Sequence, residues 1–395
     1  MRIKLITASI VSMFVAACAQ KTPTPSEFAN TVVEEYNQHS SISYDVDYQI
    51  KFFSQADDTN KVSAKIELIK VPKDSVLGGI VWIEADSSAR YYDLEHSYYI
   101  IHPKKKIIRY AKDKPFIITG NIIGEAIRTY FLDPNRLING VNDSTIEKQL
   151  VEDKLEPHKL LKWTYLFPDD GEYSKTSKQM WFNMEDFTIQ KMTYTSSLQS
   201  ESQYNRWDLS NATFDSVTKE ELKDRFNKLL DTYEIEDHKE MTAKERAPLV
   251  NGTEFPQLKG VIFPNMDSTA LKELKGKVTL IDFWYMDCAP CITAIPHLNK
   301  LHQKYSDKGL AVVGVNPFDN NKKSLKRFPN FLENNEFAYP ILFTERVNME
   351  KFKVLAYPTL YLLDENETVI FSQVGFGEQL PTAIDSLIEV NLKKL

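Results

Sequence analysis

Two periods of apolar residues divide this chain, and the change between them near residue 250 constrains the fold more than any other feature. Ahead of it, Ile42, Tyr44, Val46, Tyr48, Ile50 and Phe52 fall at alternate positions, the period of a half-buried strand. Similar runs follow: VSAKIELIKV, GIVWIEAD, YYDLEHSYYIIH and KIIRYA, then LKWTYLF, KQMWFNM, FTIQKMTYTSS and ESQYNRWDLSNATF. Between the two groups lies a mostly helical interruption at about 116–150. Short connections between alternating strands predict an antiparallel meander with helices grouped on one face, an α+β arrangement. One helix precedes it. Thr24-Pro25-Ser26-Glu27 combines a capping box with a proline in the first turn, and Phe28, Val32, Val33 and Tyr36 share a face through about His39.

Beyond residue 250 strands alternate with helices. VTLIDFW is an apolar strand interrupted only by Asp282, and Ile292, Ile295, Leu298, Leu301 and Tyr305 recur at helical spacing. LAVVGVN reads as a second buried strand, and KKSLKRFPNFLENN as a helical stretch interrupted at Pro329. TLYLLD and TVIFSQV form a hairpin around Glu365-Asn366-Glu367, before the amphipathic LPTAIDSLIEVNLKK. This predicts an α/β domain with helices on both faces of a mixed sheet. A length of 395 residues agrees with two domains. Between them, residues 218–249 read as a charged helical linker with a narrow stripe of Leu222, Phe226, Leu229 and Leu230.

A net charge of −7 argues against a nucleic-acid partner held by phosphate neutralisation. Lys104-Lys105-Lys106 is too short to reverse that and reads as a solvated turn. The N-terminus has the order of an export signal: MRIK, then the apolar LITASIVSMFV, then Val15-Ala16-Ala17-Cys18. The last four residues resemble the lipobox of bacterial lipoproteins, in which the cysteine is lipid-modified. The alternative is an ordinary secretory signal with a chance cysteine. Residues 19–25 would then be a tether. The expected location is the bacterial cell envelope, facing the periplasm, with a lipid anchor at Cys18.

The chain has three cysteines, so an anchor at Cys18 leaves Cys288 and Cys291 as one pair in a compartment where disulfides persist. Cys288-Ala-Pro-Cys291 falls where a buried strand gives way to a helix, the second cysteine opening the helix. Unpaired N–H groups and the helix dipole there stabilise an anion and depress a thiol pKa. Pro290 fits the first helical turn. The spacing lets the second sulfur attack a mixed disulfide formed at the first. Zinc would need two more ligands, and His297 and His302, five residues apart, do not share a helical face. A purely structural disulfide closing so short a loop gains little. No metal or cofactor beyond the redox-active disulfide is expected.

LKELKGKVTLIDFWYMDCAPCITAIPHLNKLHQKY, GLAVVGVN and AYPTLYLLDENETVIFSQVGF together resemble the membrane-anchored thioredoxin-like disulfide reductases of the TlpA type, over nearly all of residues 250–395. The resemblance implies a thioredoxin fold, Cys288 as attacking thiolate and Cys291 as resolving thiol. It implies a cis Pro358 facing the dithiol, and Asp282 as a buried acid serving Cys291. The competing reading of Asp282 is a carboxylate at a strand edge, in contact with water. Trp284, Asp287, Pro290 and Tyr357 are expected to shape the site. Asp287 stands where the family usually has tryptophan, Ala294 replaces a common acidic residue, and Asn366-Glu367 replaces an Asp/Asn-Gly turn. A carboxylate at Asp287 would disfavour the neighbouring thiolate and make the protein more reducing, unless it points to water and is screened.

Residues 26–216, with MWFNMEDFTIQKMTY, resemble the open half-barrel sheets of the outer-membrane lipoprotein carriers. That resemblance implies a concave pocket for a lipid or peptide ligand; the alternative is a spacer or docking domain. The resulting division is 1–18 signal and lipobox cysteine, 19–25 tether, 26–217 half-barrel-like domain, 218–249 linker and 250–395 thioredoxin-like domain. The expected activity is thiol–disulfide oxidoreduction of the protein-disulfide reductase type. Its partners would be disulfide-bearing proteins and a membrane thiol-electron carrier. A peroxidase would expect threonine or serine three residues before the attacking cysteine, where this chain has Tyr285. A ligand-binding lipoprotein with an auxiliary redox domain is the other alternative.

Overall fold

The computed structural model describes residues 23–52, 60–114, 118, 130–155, 158–170, 173–198, 201–377 and 379–393. The expected signal peptide and Cys18 lie outside them. Helix α1 (Pro25–Gln38) opens on a capping box: Thr24 Oγ1 accepts from the Glu27 N–H, and Glu27 Oε2 accepts from the Thr24 N–H.

Strands β1 (Ser41–Lys51), β2 (Asn60–Lys70), β3 (Gly79–Ala85), β4 (Ser88–Tyr92), β5 (His96–Ile101) and β6 (Lys106–Ala111) follow as a meander. After helix α2 (Asn135–Asn142) come β7 (Glu147–Leu155), β8 (His158–Leu166), β9 (Tyr173–Asn183), β10 (Ile189–Leu198) and β11 (Glu201–Phe214). Pairing of β1 with β11 joins the two runs into one sheet. Among the described residues its order is β6-β5-β4-β3-β2-β1-β11-β10-β9-β8-β7, with one further strand beside β6.

The alternation seen in sequence decides which face is buried. Tyr44, Val46, Tyr48 and Ile50 join Phe28, Val32 and Tyr36 of α1 in one apolar cluster with Trp163 and Phe182. Phe28 meets the Phe182 ring edge-on at 5.2 Å. Among the described residues, the space lined by Tyr36, Tyr44, Phe131 and Leu209 is only about 20 Å³. Among the described residues that space is filled by side chains, which counts against a ligand held there.

Two expectations change here. Within the stretch read as mostly helical, residues 116–117 and 119–129 lie outside the description, α2 is helical, and 147–155 is the edge strand β7. An edge strand needs little apolar alternation, and EKQLVEDKL offers almost none; its Val151 is exposed. The second change concerns the expected linker. Helix α3 (Lys219–Leu230) packs Leu222 and Phe226 against Trp82, Tyr91 and Tyr98 on the other face of the sheet, while Leu230 faces water. Arg225 of α3 pairs bidentately with the buried Glu67 and lies over the Trp82 ring. Strand β12 (Glu234–Asp237) then adds parallel to β6. Each of these long-range contacts overrides the charged composition that suggested a free connector.

The second sheet contains β13 (Lys259–Ile262), β14 (Asp267–Ala270), β15 (Val278–Phe283), β16 (Leu310–Asn316), β17 (Ile341–Phe343), β18 (Thr359–Leu363) and β19 (Val369–Val374), in the order β14-β13-β17-β16-β15-β18-β19. Strands β15, β16 and β17 are parallel, and β18 and β19 run antiparallel. Helices α4 (Ala289–Tyr305) and α6 (Leu380–Lys393) cover one face through Leu298, Leu301, Ile384 and Ile388. Phe283, Phe352 and Tyr361 pack on the other. This is a thioredoxin-like fold. Helix α5 (Lys322–Asn334) runs unbroken through Pro329, contrary to the expected interruption. Burial of Phe328 and Phe331 on either side of the proline outweighs its lost hydrogen bond.

Candidate active site

The site is built where β15 ends. The Trp284 N–H extends the ladder to the Val315 carbonyl, and the chain then turns through Tyr285–Asp287 into α4. Cys288 is the N-cap of that helix, and its Sγ accepts the Cys291 N–H at 3.2 Å. The helix therefore opens at Ala289, one position after the first cysteine, and Cys291 lies inside the first turn. Pro290 also lies in that turn, where no N–H is needed. Cys288 and Cys291 form a disulfide. Cys291 has no exposure, and Cys288 retains 4%. Cys288, which caps the helix, is the less enclosed of the two.

Strand β18 begins directly after Pro358 and pairs Thr359 with Phe283, which brings Pro358 alongside the start of the cysteine loop. The Tyr357–Pro358 bond is cis. The Tyr357 ring meets Tyr285 at 5.4 Å and Phe318 at 5.2 Å, both edge-on. Trp284 is fully buried and stacks on Phe331. It also explains Gly314 on β16, since a Cβ there would meet the indole nitrogen at 2.9 Å.

Asp282 lies on the central strand β15, fully buried, and neither carboxylate oxygen has a hydrogen-bond partner among the described residues. This overturns the water-contacting reading: the strand has neighbours on both sides and a covered face. Burial pushes the Asp282 carboxyl up to about 8. The nearby Tyr339 hydroxyl, also buried and unpartnered among the described residues, is pushed upward by burial and by the charge on Asp282.

Asp287 does not act as the sequence alone suggested. Its Oδ1 receives a hydrogen bond from Arg327 Nη2 of α5 at 2.7 Å, with both side chains mostly buried. The guanidinium, not water, balances the carboxylate beside Cys288. Removing the cation should therefore expose the effect expected of Asp287. Arg327→Met is expected to lower the midpoint potential of the Cys288–Cys291 couple by about 30 mV, equivalent to about 1.4 kcal/mol for two electrons. Equilibration against a thiol–disulfide buffer measures it, and an unchanged or higher potential would contradict the pairing argument.

Sequence reasoning missed the support beneath the loop. Asp319 is buried and accepts from the Met286 N–H at 2.9 Å and from Asn316 Nδ2 at 2.8 Å. Asn316 Oδ1 in turn accepts from the Phe318 and Asp319 N–H groups. Burial raises the Asp319 carboxyl against these hydrogen bonds. The signal available in sequence was a polar Asn-x-x-Asp that begins on the last residue of the apolar LAVVGVN strand.

Residues 252–372 match the family model described as the AhpC/TSA family. The thioredoxin-like protein YneN of Bacillus subtilis is 37% identical over 109 residues, which are 28% of this chain and 63% of that protein. The thiol-disulfide oxidoreductase ResA of Halalkalibacterium halodurans is 29% identical over 125 residues, 31% of this chain and 69% of the relative. A solved thiol:disulfide interchange protein of the thioredoxin family from Chlorobium tepidum TLS is 21% identical, with a TM-score of 0.31, over 37% of this chain and 99% of that one. The chain thus spans less than two thirds of YneN. The C-terminal region is an AhpC/TSA thioredoxin-like domain, and proteins named thiol-disulfide oxidoreductases are among its relatives.

Proposed function

We propose that this chain is a thiol–disulfide oxidoreductase that reduces disulfides in polypeptides through Cys288 and Cys291, within the TlpA-type branch of thioredoxin-like reductases. The observation that carries the reading is the placement of Cys288 as N-cap of α4, bonded to a fully buried Cys291. In the reduced protein, the Cys288 thiolate is favoured by the helix N-terminus and by the N–H of Cys291. It attacks one sulfur of the substrate disulfide, forming a mixed disulfide and expelling the other sulfur as a thiolate. Cys291 loses its proton to Asp282, and its sulfur attacks Sγ of Cys288. The substrate leaves as its second thiol, and the two electrons it gained leave Cys288–Cys291 oxidised. A membrane thiol-electron carrier then returns the dithiol.

An export signal with lipid attachment at Cys18 would hold the protein on the membrane of the cell envelope, facing the periplasm. The order of charged, apolar and small residues before Cys18 supports this. Among the described residues no helix is long and apolar enough to cross a membrane. The long N-terminal sheet with α1 on one face supports a half-barrel related to lipoprotein carriers. The tight packing of Tyr36, Tyr44, Phe131 and Leu209 between α1 and the sheet favours docking over carriage of a lipid or peptide. A peroxidase is less well supported, because Tyr285 is packed between aromatic rings three residues before Cys288.

Trapping tests the proposal. Cys291→Ala should accumulate covalent adducts in cells, because the mixed disulfide at Cys288 can no longer be resolved. Adducts should be released by dithiothreitol and be absent from the double variant Cys288→Ser/Cys291→Ala. Adducts that persist without Cys288 would refute the mechanism.

A further inference from the structure

The N-terminal sheet reaches the dithiol. Tyr173, at the start of β9, is the cross-strand partner of Leu198, at the end of β10. Leu198 is 2% exposed and belongs to the same apolar cluster as Met286, Cys288 and Ile292. Beside this contact opens a cleft of about 670 Å³, within the range of ligand sites. Phe167, Tyr173 and Tyr194 of the N-terminal sheet line one side, and Ala289, the residue following Cys288 in the disulfide loop, lines the other. Asp143 and Asp170 are among the described residues that line it, and no lysine or arginine is, although the Lys148 ammonium donates to the Asp143 carbonyl. Hydrogen bonds from the Thr145 hydroxyl and N–H, with the Lys148 charge adding to them, hold the Asp143 carboxyl below its usual range and so keep it charged. Asp170 accepts from the Tyr173 N–H at 2.8 Å.

We propose that the N-terminal sheet forms one wall of the substrate site, and that the cleft takes a polypeptide segment whose disulfide cysteine is flanked by apolar and basic side chains. The aromatic wall receives the apolar side chain, and the acidic side chains attract the basic one. Because Ala289 lines the cleft, a segment lying there brings its disulfide up to Cys288. This inference rests on the oxidoreductase reading above and specifies its substrate class.

The test uses the full chain, reduced beforehand, and three disulfides. Two are otherwise identical peptides whose cysteine, flanked by arginines or by glutamates, is joined to a reporter thiol. The third is neutral hydroxyethyl disulfide. Wild type is expected to favour the arginine peptide in kcat/KM. The double variant Asp143→Lys/Asp170→Lys, changed only at exposed positions, is expected to lower the arginine-to-glutamate ratio by about tenfold, chiefly through KM. A ratio equal in wild type and variant overturns the proposed wall while reduction of hydroxyethyl disulfide continues to support the oxidoreductase. Failure of wild type to reduce hydroxyethyl disulfide removes the oxidoreductase reading and this inference with it.

Discussion

Serine in place of Cys288 is expected to leave less than about a thousandth of the disulfide-reducing rate, a loss of at least about 4 kcal/mol of transition-state stabilisation. A serine hydroxyl remains protonated at neutral pH, so the helix N-terminus that favours a thiolate has no anion to act on. Cys291 cannot take over. It lies inside the first turn of α4 with no exposure, while Cys288, the N-cap, is the less enclosed of the two. Cys291→Ser should behave differently: it retains the first attack, releases one equivalent of substrate thiol and stops. Single-turnover assays with a chromogenic disulfide separate the two. Equal single-turnover amplitudes from Cys288→Ser and wild type would contradict the assignment of the attacking sulfur.

What the sequence made legible was the periodic part of the fold and the local chemistry of the cysteines. The Thr24–Glu27 capping box is a three-residue interaction, and it forms as read. The strand–helix alternation after residue 250 needs no long-range information either, because each buried run announces its own period. Several misses share one cause: each depends on a contact between residues far apart in the chain. Arg327, which balances Asp287, is 40 residues away from it. Arg225, which docks the supposed linker onto the sheet, meets Glu67 across 158 residues. The same holds for the apolar cluster shared by Leu198 and Cys288. Pro329 illustrates the converse, a strong local signal overruled by the burial of Phe328 and Phe331. The acidic residue before the first cysteine could be seen in sequence, but its electrostatic meaning could not, because that belongs to the pair.

Asp282→Asn is expected to abolish the pH dependence of stability that this buried group contributes while slowing the chemistry. The carboxyl titrates at about 8 in the folded chain because burial disfavours its charge, against 3.8 when unfolded. Between about pH 4 and pH 8, the folded state therefore holds a proton that the unfolded state has shed. Stability must fall as pH rises through that window and level off on either side. At pH 7 this group alone costs about 4 kcal/mol relative to pH below 4. Asparagine removes the titration, and its amide is left buried without partners much as the neutral carboxyl of wild type is, so that cost is common to both. The expected gain at pH 7 is thus up to about 4 kcal/mol, and the downward slope between pH 4 and pH 8 should disappear. Urea midpoints of the second-domain transition, measured across pH in wild type and variant, give both quantities. The catalytic consequence has the opposite sign. If, as proposed, the ionised minority form of Asp282 takes the proton from Cys291, its loss should slow resolution of the mixed disulfide by about 100-fold while sparing the first attack by Cys288. Parallel stability curves in the two proteins would mean that the Asp282 charge is not buried at a cost. A destabilised variant with unchanged resolution would reduce the residue to packing, whereas gain of stability together with loss of the second step requires the same buried carboxyl group to serve both.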